Sequence, residues 1–186
     1  VSNIDYYKHQ WNVVAAVEIL NSTELNLNLT LVGDLEGPAF KELQKQILKS
    51  DPNGNFVNLI PFLPHDNLPQ YLSKADIFVF ASSCENMPNT LIEGMAAGLP
   101  IACSDRGPMP EVLGSAGVYF NPVSIESIVK ALEELMSSQA KREKLAQEAE
   151  SASQRFSWGV CSNQTWGFIT ETYEKYKDSG EKSEQL

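Results

Sequence analysis

A chain of 186 residues holds one compact domain with a proper core and is too short for two substantial ones, while 42% hydrophobic and 20% charged residues argue against a disordered or fibrous polymer. Its 14 Lys and Arg stand against 24 Asp and Glu, and the net charge of -10 repels phosphate backbones and anionic lipid headgroups, which argues against nucleic acid as a partner. No apolar run approaches a membrane span, and Cys84, Cys103 and Cys161 have neither metal-ligand spacing nor the even count of a disulfide framework, so a reducing cytoplasm fits best.

In chain order, Val1-Ser2-Asn3-Ile4 reads as the end of a strand running into a turn, as in a chain that begins inside a longer polypeptide. A helical pattern over 11–20 follows, then Leu27-Asn28-Leu29-Thr30-Leu31-Val32, which has a strand's alternation and stops at Gly33-Asp34. A helix over 38–49 leads to the apolar run Phe56-Val57-Asn58-Leu59-Ile60-Pro61-Phe62. A helix over 66–74 leads to Asp76-Ile77-Phe78-Val79-Phe80-Ala81, apolar at successive positions as in a strand covered on both faces. Next come a helix over 90–97, the weaker strand pattern Leu99-Pro100-Ile101-Ala102-Cys103-Ser104, and a last strand, Gly117-Val118-Tyr119-Phe120. The helix over 125–136 puts Ile125, Ile128, Val129, Leu132 and Leu135 on one face. A further helix over 141–155 is solvated on much of its surface and is broken by Phe156-Ser157-Trp158-Gly159. The last helix, over 163–177, carries Trp166, Phe168, Ile169, Tyr173 and Tyr176, enough aromatic surface to imply docking; 178–186 are polar and read as a frayed tail, which sets the domain at 1–177.

Alternating strands and helices imply parallel strands joined by right-handed crossovers, hence a doubly wound, mostly parallel, Rossmann-like α/β sheet in a single domain. Such sheets bind ligands beyond the carboxyl ends of their strands, so the positions after Val32, Phe62, Ala81 and Ser104 are the places for a site.

The stretch from Ala81 to Pro100 has that form: an apolar strand, a polar loop, and a short helix that opens near Asn89 and stops at Gly98, with Pro100 preventing continuation. The free amides at such a helix start, together with its dipole, favour an anion such as a diphosphate. Glu85 lies in the loop and Glu93 one turn into the helix. Carboxylates so placed accept hydrogen bonds from the hydroxyls of a sugar and a ribose.

At these residues the chain resembles the C-terminal, donor-binding domain of the GT-B fold retaining glycosyltransferases of group 1, or family 4, whose pattern is close to S-x-x-E-G-x-P-N-x-x-x-E-A-M-A-x-G-x-P-V. Ser82, Glu85, Pro88, Asn89, Glu93, Met95, Ala96, Gly98 and Pro100 fall in register; Asn86 stands where the family has glycine and Gly94 where it has alanine. The resemblance runs from Ser2 to about Tyr176. It implies that Glu85 positions the sugar, that Glu93 holds the ribose, and that Lys8 offsets charge on the diphosphate. Asn86, Met87, Pro88, Asn89 and Thr90 would complete the donor site. Gly33-Asp34 matches a G-D-G turn with Leu35 in place of its second glycine, and Pro61-Phe62-Leu63 matches a loop whose backbone meets the base. Arg106-Gly107-Pro108-Met109-Pro110-Glu111 is similar to the family's G-G-x-x-E segment, and an arginine usual near Asn3 is lacking.

Two glutamates eight apart occur often by chance in so acidic a chain; the surrounding register makes this pair functional instead. A lysine at a helix start is commonly just solvated, so Lys8 rests on the resemblance. Cys84 reads as a small apolar filler at a strand end, and His9 and His65, isolated from any ligand-like cluster, read as surface or capping residues. No Asp-x-Asp pair occurs, so neither a metal nor another cofactor is expected. The reading is a cytoplasmic domain that binds a UDP-, GDP- or similar sugar donor and serves transfer, with retention, to an acceptor hydroxyl in polysaccharide, lipid or other glycoconjugate synthesis. The acceptor, and any membrane contact, would belong to an N-terminal domain outside this chain, leaving the chain alone inactive. The alternatives are a binding module for a nucleotide or nucleotide sugar without turnover and a sugar-nucleotide epimerase, the latter disfavoured by the register around Glu93.

Overall fold

Each strand pairs in parallel with its neighbours, as the helical crossovers require. The computed structural model describes residues 1–23 and 25–181. Among them a 3-10 turn, Tyr6–Lys8, precedes helix α1 (Gln10–Asn21), and β1 (Leu29–Val32), α2 (Gly37–Ser50) and β2 (Val57–Ile60) follow. A second 3-10 turn, His65–Asn67, runs into α3 (Leu68–Leu72), then β3 (Phe78–Phe80), α4 (Asn89–Ala96), β4 (Ile101–Ser104), α5 (Met109–Leu113) and β5 (Val118–Phe120). The chain closes with α6 (Ile125–Met136), α7 (Gln139–Ser153) and α8 (Trp158–Glu181). Strand β1 pairs with β2, Leu29 opposite Val57, while β3, β4 and β5 form a second ladder in that order, Phe78 opposite Ile101 and Ala102 opposite Val118. This is the α/β class read from the sequence, with its parallel strands in two groups.

Strand β4 has a neighbour on both sides and is buried at all four positions, which only a cover on each face allows. One cover is made by α1 and α6: Val13, Ala16, Val17 and Leu20 meet Ile128, Ala131, Leu132 and Leu135 over Ala102, Val118 and Phe120. Each Val, Leu, Ile or Phe among them, fully buried, stabilises the fold by roughly 1.5–3 kcal/mol. On the opposite face Phe78 packs on α4, where Gly94 leaves room for its ring.

Contacts divide the chain into two units, Val1–Ser153 and Gln154–Leu186. The second consists mainly of α8, on which Trp158, Trp166, Phe168, Tyr173 and Tyr176 are exposed. This helix starts five residues before the expected one and runs into the segment read as a frayed tail; 182–186 of that segment lie outside the described residues. Helix α7 spans Gln139–Ser153 rather than 141–155, so the break before α8 falls at 154–157. The helix expected over 66–74 is a 3-10 turn and a five-residue helix, because Pro69 has no amide to donate to the preceding turn. Helix α5 had no counterpart in the sequence reading.

Candidate functional site

Strand β3 ends at Phe80, and the loop that follows is tied to the chain's first turn. Ser83 N donates to Tyr7 O at 2.7 Å, and Ser83 Oγ meets His9 Nε2 at 2.9 Å. Asp5 caps the turn by accepting from Tyr6 N at 2.6 Å, and His9 leaves it in the left-handed region, φ 51°. The two anchors aim Lys8 at the loop. Its ammonium forms an ion pair with Glu85, with both side chains largely buried, and lies 5.1 Å from the Tyr7 ring centre and 5.7 Å from that of Phe80. The sequence reading gave Lys8 and Glu85 to one site, and the fold brings them into direct contact.

Glu93 projects from α4 one turn after its start, where its Oε1 lies 2.9 Å from His65 Nε2. The loop after β2 thus meets the helix after β3 at a carboxylate. Helix α4 begins without a side-chain cap; Leu91 and Ile92 donate to Pro88 O, and the Thr90 amide has no acceptor among the described residues. That amide and the helix dipole offer positive potential beside the loop. Pro88 is buried and fixes the entry to the helix, whereas Asn86, Met87 and Asn89 are exposed around it and Thr90 is half-buried. Gly98, in the left-handed region at φ 65°, stops the helix as expected.

Gly33 follows β1 at φ 155°, and a Cβ there would lie 1.9 Å from Ser2 O, so no other residue fits. Phe62 is 73% exposed and Leu63 half-buried in the loop after β2. Among the described residues no hydrogen bond joins Gly33, Phe62 or Leu63 to either glutamate; they share with them only the carboxyl-end edge of the strands.

Three readings need correction. Cys84 is exposed rather than a buried filler, because the chain has left the sheet by Ser82 and turns outward. His9 stands at the N-cap of α1 without a side-chain cap bond; its ring serves Ser83 instead, and burial lowers its pKa. His65 lies on the surface as read, its side chain 80% exposed, but is bonded to Glu93 rather than isolated; its place five residues after β2, on the ligand-binding edge, was the signal for it.

The sequence model of the family described as "Glycosyl transferases group 1" matches residues 1–152. The O-antigen chain mannosyltransferase B of Escherichia coli is 26% identical over 120 residues, which are 64% of this chain and 32% of that protein. Among solved structures, Anabaena Alr3699/HepE in complex with UDP and glucose has a TM-score of 0.79 at 21% identity, covering 90% of this chain and 46% of that one. The C-terminal domain of a glycosyl transferase group 1 family protein, LpcC, from Francisella tularensis has a TM-score of 0.70 at 21% identity, covering 82% of this chain and 80% of that one. The chain therefore spans about a third of the length of that mannosyltransferase.

Proposed function

The chain belongs to the group 1 glycosyl transferases, and from that premise we propose that it is the donor-holding part of an enzyme that moves a sugar from a nucleotide sugar to an acceptor hydroxyl with retention. The observation that carries this reading is the pair of carboxylates at the carboxyl end of β3, each held by a basic residue from a different loop: Glu85 by Lys8 and Glu93 by His65. The family match and the register around Glu93 both count against an epimerase.

In this reading Glu93 accepts the two ribose hydroxyls from its place on a rigid helix. Lys8 exchanges partners. Without donor its charge is balanced by Glu85; an arriving diphosphate, flanked by the Thr90 amide and the dipole of α4, draws the ammonium to itself. Glu85 is then free to accept from sugar hydroxyls, so the same step that neutralises the phosphates readies the sugar's acceptor groups. As the sugar leaves, negative charge grows on the diphosphate, where Lys8 and the amide offset it. The phosphates are met by these groups without a metal. UDP with glucose in the Anabaena structure supports a nucleotide-sugar ligand class. The acceptor is held by polypeptide outside this chain, in a cytoplasmic enzyme of glycoconjugate synthesis, and the chain alone binds donor without transferring it.

Calorimetric titration of the chain with UDP, UDP-glucose, GDP and GDP-mannose tests the proposal. Saturable binding of at least one nucleotide sugar, weakened by Glu93→Ala, is the expected result. Binding of none of the four, or binding indifferent to Glu93, overturns it.

A further inference from the structure

Glu85 is not the only group that Lys8 meets. Its ammonium lies 5.1 Å from the centre of the Tyr7 ring and 5.7 Å from that of Phe80, both within the reach at which the negative face of an aromatic ring attracts a cation. The two rings come from different parts of the fold. Phe80 closes β3, opposite Cys103 in the ladder, and is only 5% exposed, so its ring has a place in the core whatever Lys8 does. Tyr7 has no such place: it is 38% exposed, and the turn that carries it buries none of its residues. Its neighbour Tyr6 meets Trp11 of α1, with 6.0 Å between ring centres, which leaves Tyr7 for the ammonium.

The backbone beneath Tyr7 is fixed by the loop that carries Glu85. Tyr7 O accepts from Ser83 N at 2.7 Å and from Ser83 Oγ at 3.3 Å, two residues before the glutamate. A movement of the loop therefore carries ring and carboxylate together.

An exchange of partners by Lys8 has a weak point that these rings meet. The lysine is largely buried, and among the described residues its ion-pair partner is Glu85. Once Glu85 turns to a sugar hydroxyl, a desolvated ammonium without counter-charge is unfavourable and would swing toward water. Ring faces offset part of that loss. They do so without competing for the charge as a second carboxylate would, because a quadrupole attracts a cation less than a full negative charge does.

We propose that Tyr7 is a positioning residue: with Phe80 it holds the Lys8 ammonium beside the loop while Glu85 gives way to a diphosphate. This rests on the proposed role of Lys8 as the cation for that diphosphate, and goes further by giving Tyr7 a duty that acts only through Lys8. Since the exposed ring adds little to the core, losing it costs binding rather than folding.

The test is a double-mutant cycle read by calorimetric titration with UDP and GDP, using whichever the parent chain binds more tightly. Tyr7→Leu is expected to weaken binding about three- to tenfold at an unchanged unfolding midpoint, and Tyr7→Phe, which keeps the ring, to stay within about twofold of the parent. In a Lys8→Met chain the further change Tyr7→Leu is expected to have no effect, because no charge is left to hold. Equal weakening by Tyr7→Leu with and without Lys8 would show a purely structural ring, and an unweakened Tyr7→Leu chain a ring without a role. Either overturns the positioning role while leaving the assignment of Lys8 intact. A Lys8→Met chain that binds as the parent does, or a parent that binds neither nucleotide, removes the phosphate assignment itself and the positioning role with it.

A second measurement needs no nucleotide. Protons over an aromatic face are shifted upfield by its ring current, so the ε-methylene protons of Lys8 report how near the rings are. In a Glu85→Gln chain they are expected to stay upfield, and to move toward their position in an unfolded chain when Tyr7→Leu is added. Unfolded-chain shifts in Glu85→Gln alone would mean that the carboxylate, and not the rings, holds the ammonium, and the proposal falls.

Discussion

Lys8 and Glu85, 77 residues apart in sequence, meet as an ion pair whose side chains are only 12% and 15% exposed. Removing one partner leaves the other charge partly desolvated and unpaired, so the two single variants differ in kind. Lys8→Met should weaken a nucleoside diphosphate about tenfold or more, because phosphate loses its cation. Glu85→Gln should tighten the same bare nucleotide by roughly two- to fivefold, since Lys8 is no longer shared, yet weaken the nucleotide sugar. Titrating both variants with both ligands decides; a Glu85→Gln chain that binds bare nucleotide more weakly than the parent rules out the exchange of partners.

Glu93→Ala should lower affinity for bare nucleotide and nucleotide sugar alike, by roughly ten- to a hundredfold, since each hydrogen bond to a charged acceptor is worth about 1.5–3 kcal/mol. The unfolding midpoint should hold, because the His65 contact is a surface pair, with the His65 side chain 80% exposed. His65→Ala serves as the control for stability. A Glu93→Ala chain that keeps its nucleotide affinity removes the ribose assignment.

Helix α4 runs so close to the buried Phe78 ring that a Cβ added at Gly94 would lie 2.7 Å from it. Gly94→Ala should destabilise by about 1–3 kcal/mol through overpacking, less the gain of up to about 1 kcal/mol in helix propensity. Combining it with Phe78→Leu should cost less than the sum of the two single changes. Denaturant unfolding of the three variants measures the coupling, and strict additivity would show that ring and helix do not meet as described.

Asp51 supplies an acid-sensitive contribution to stability. Burial alone raises its pKa, but its carboxylate accepts from the amides of Asn55 at 2.6 Å, Phe56 at 2.9 Å and Val57 at 2.8 Å, and these donors hold the pKa below the usual carboxylate range. A pKa lower in the folded than in the unfolded state stabilises above the unfolded value, about 3.9, and that stability is lost as pH falls through the folded one. Asp51→Asn should therefore lower the unfolding midpoint clearly at pH 7 and by progressively less toward pH 3. A difference constant over that range would show that the carboxylate's charge is not what matters.

The helix Ile125–Met136 was legible to the residue because its apolar face keeps a helical period and Ser124 caps it, accepting from Ser127 N. Helix α5 was not, since five residues with Pro110 among them are shorter than the window in which a period shows. The strands were read too long at one or both ends: Leu27 and Ile77 are apolar because they pack on the core, not because they belong to a ladder. The glutamates could be singled out in the sequence because strand, loop and helix lie close together around them. His65 was not, because 28 residues separate it from Glu93 and only the parallel crossover brings them together. The Ser83 contacts with Tyr7 and His9 depend on a 3-10 turn too short to leave a pattern.

The bond from Ser83 N to Tyr7 O also limits how the chain can change in length. Four residues lie between Ser2, fastened to Val32, and Tyr7, fastened to Ser83; a deletion there would shorten the span and an insertion would slacken it, in either case drawing Lys8 out of line with Glu85. Substitutions in this stretch are tolerable wherever the backbone path survives, since most of the fastening uses main-chain groups. Insertions and deletions are not, so descendants of this sequence should vary here in residue type while holding the distance from Gly33's neighbour Ser2 to Lys8 constant.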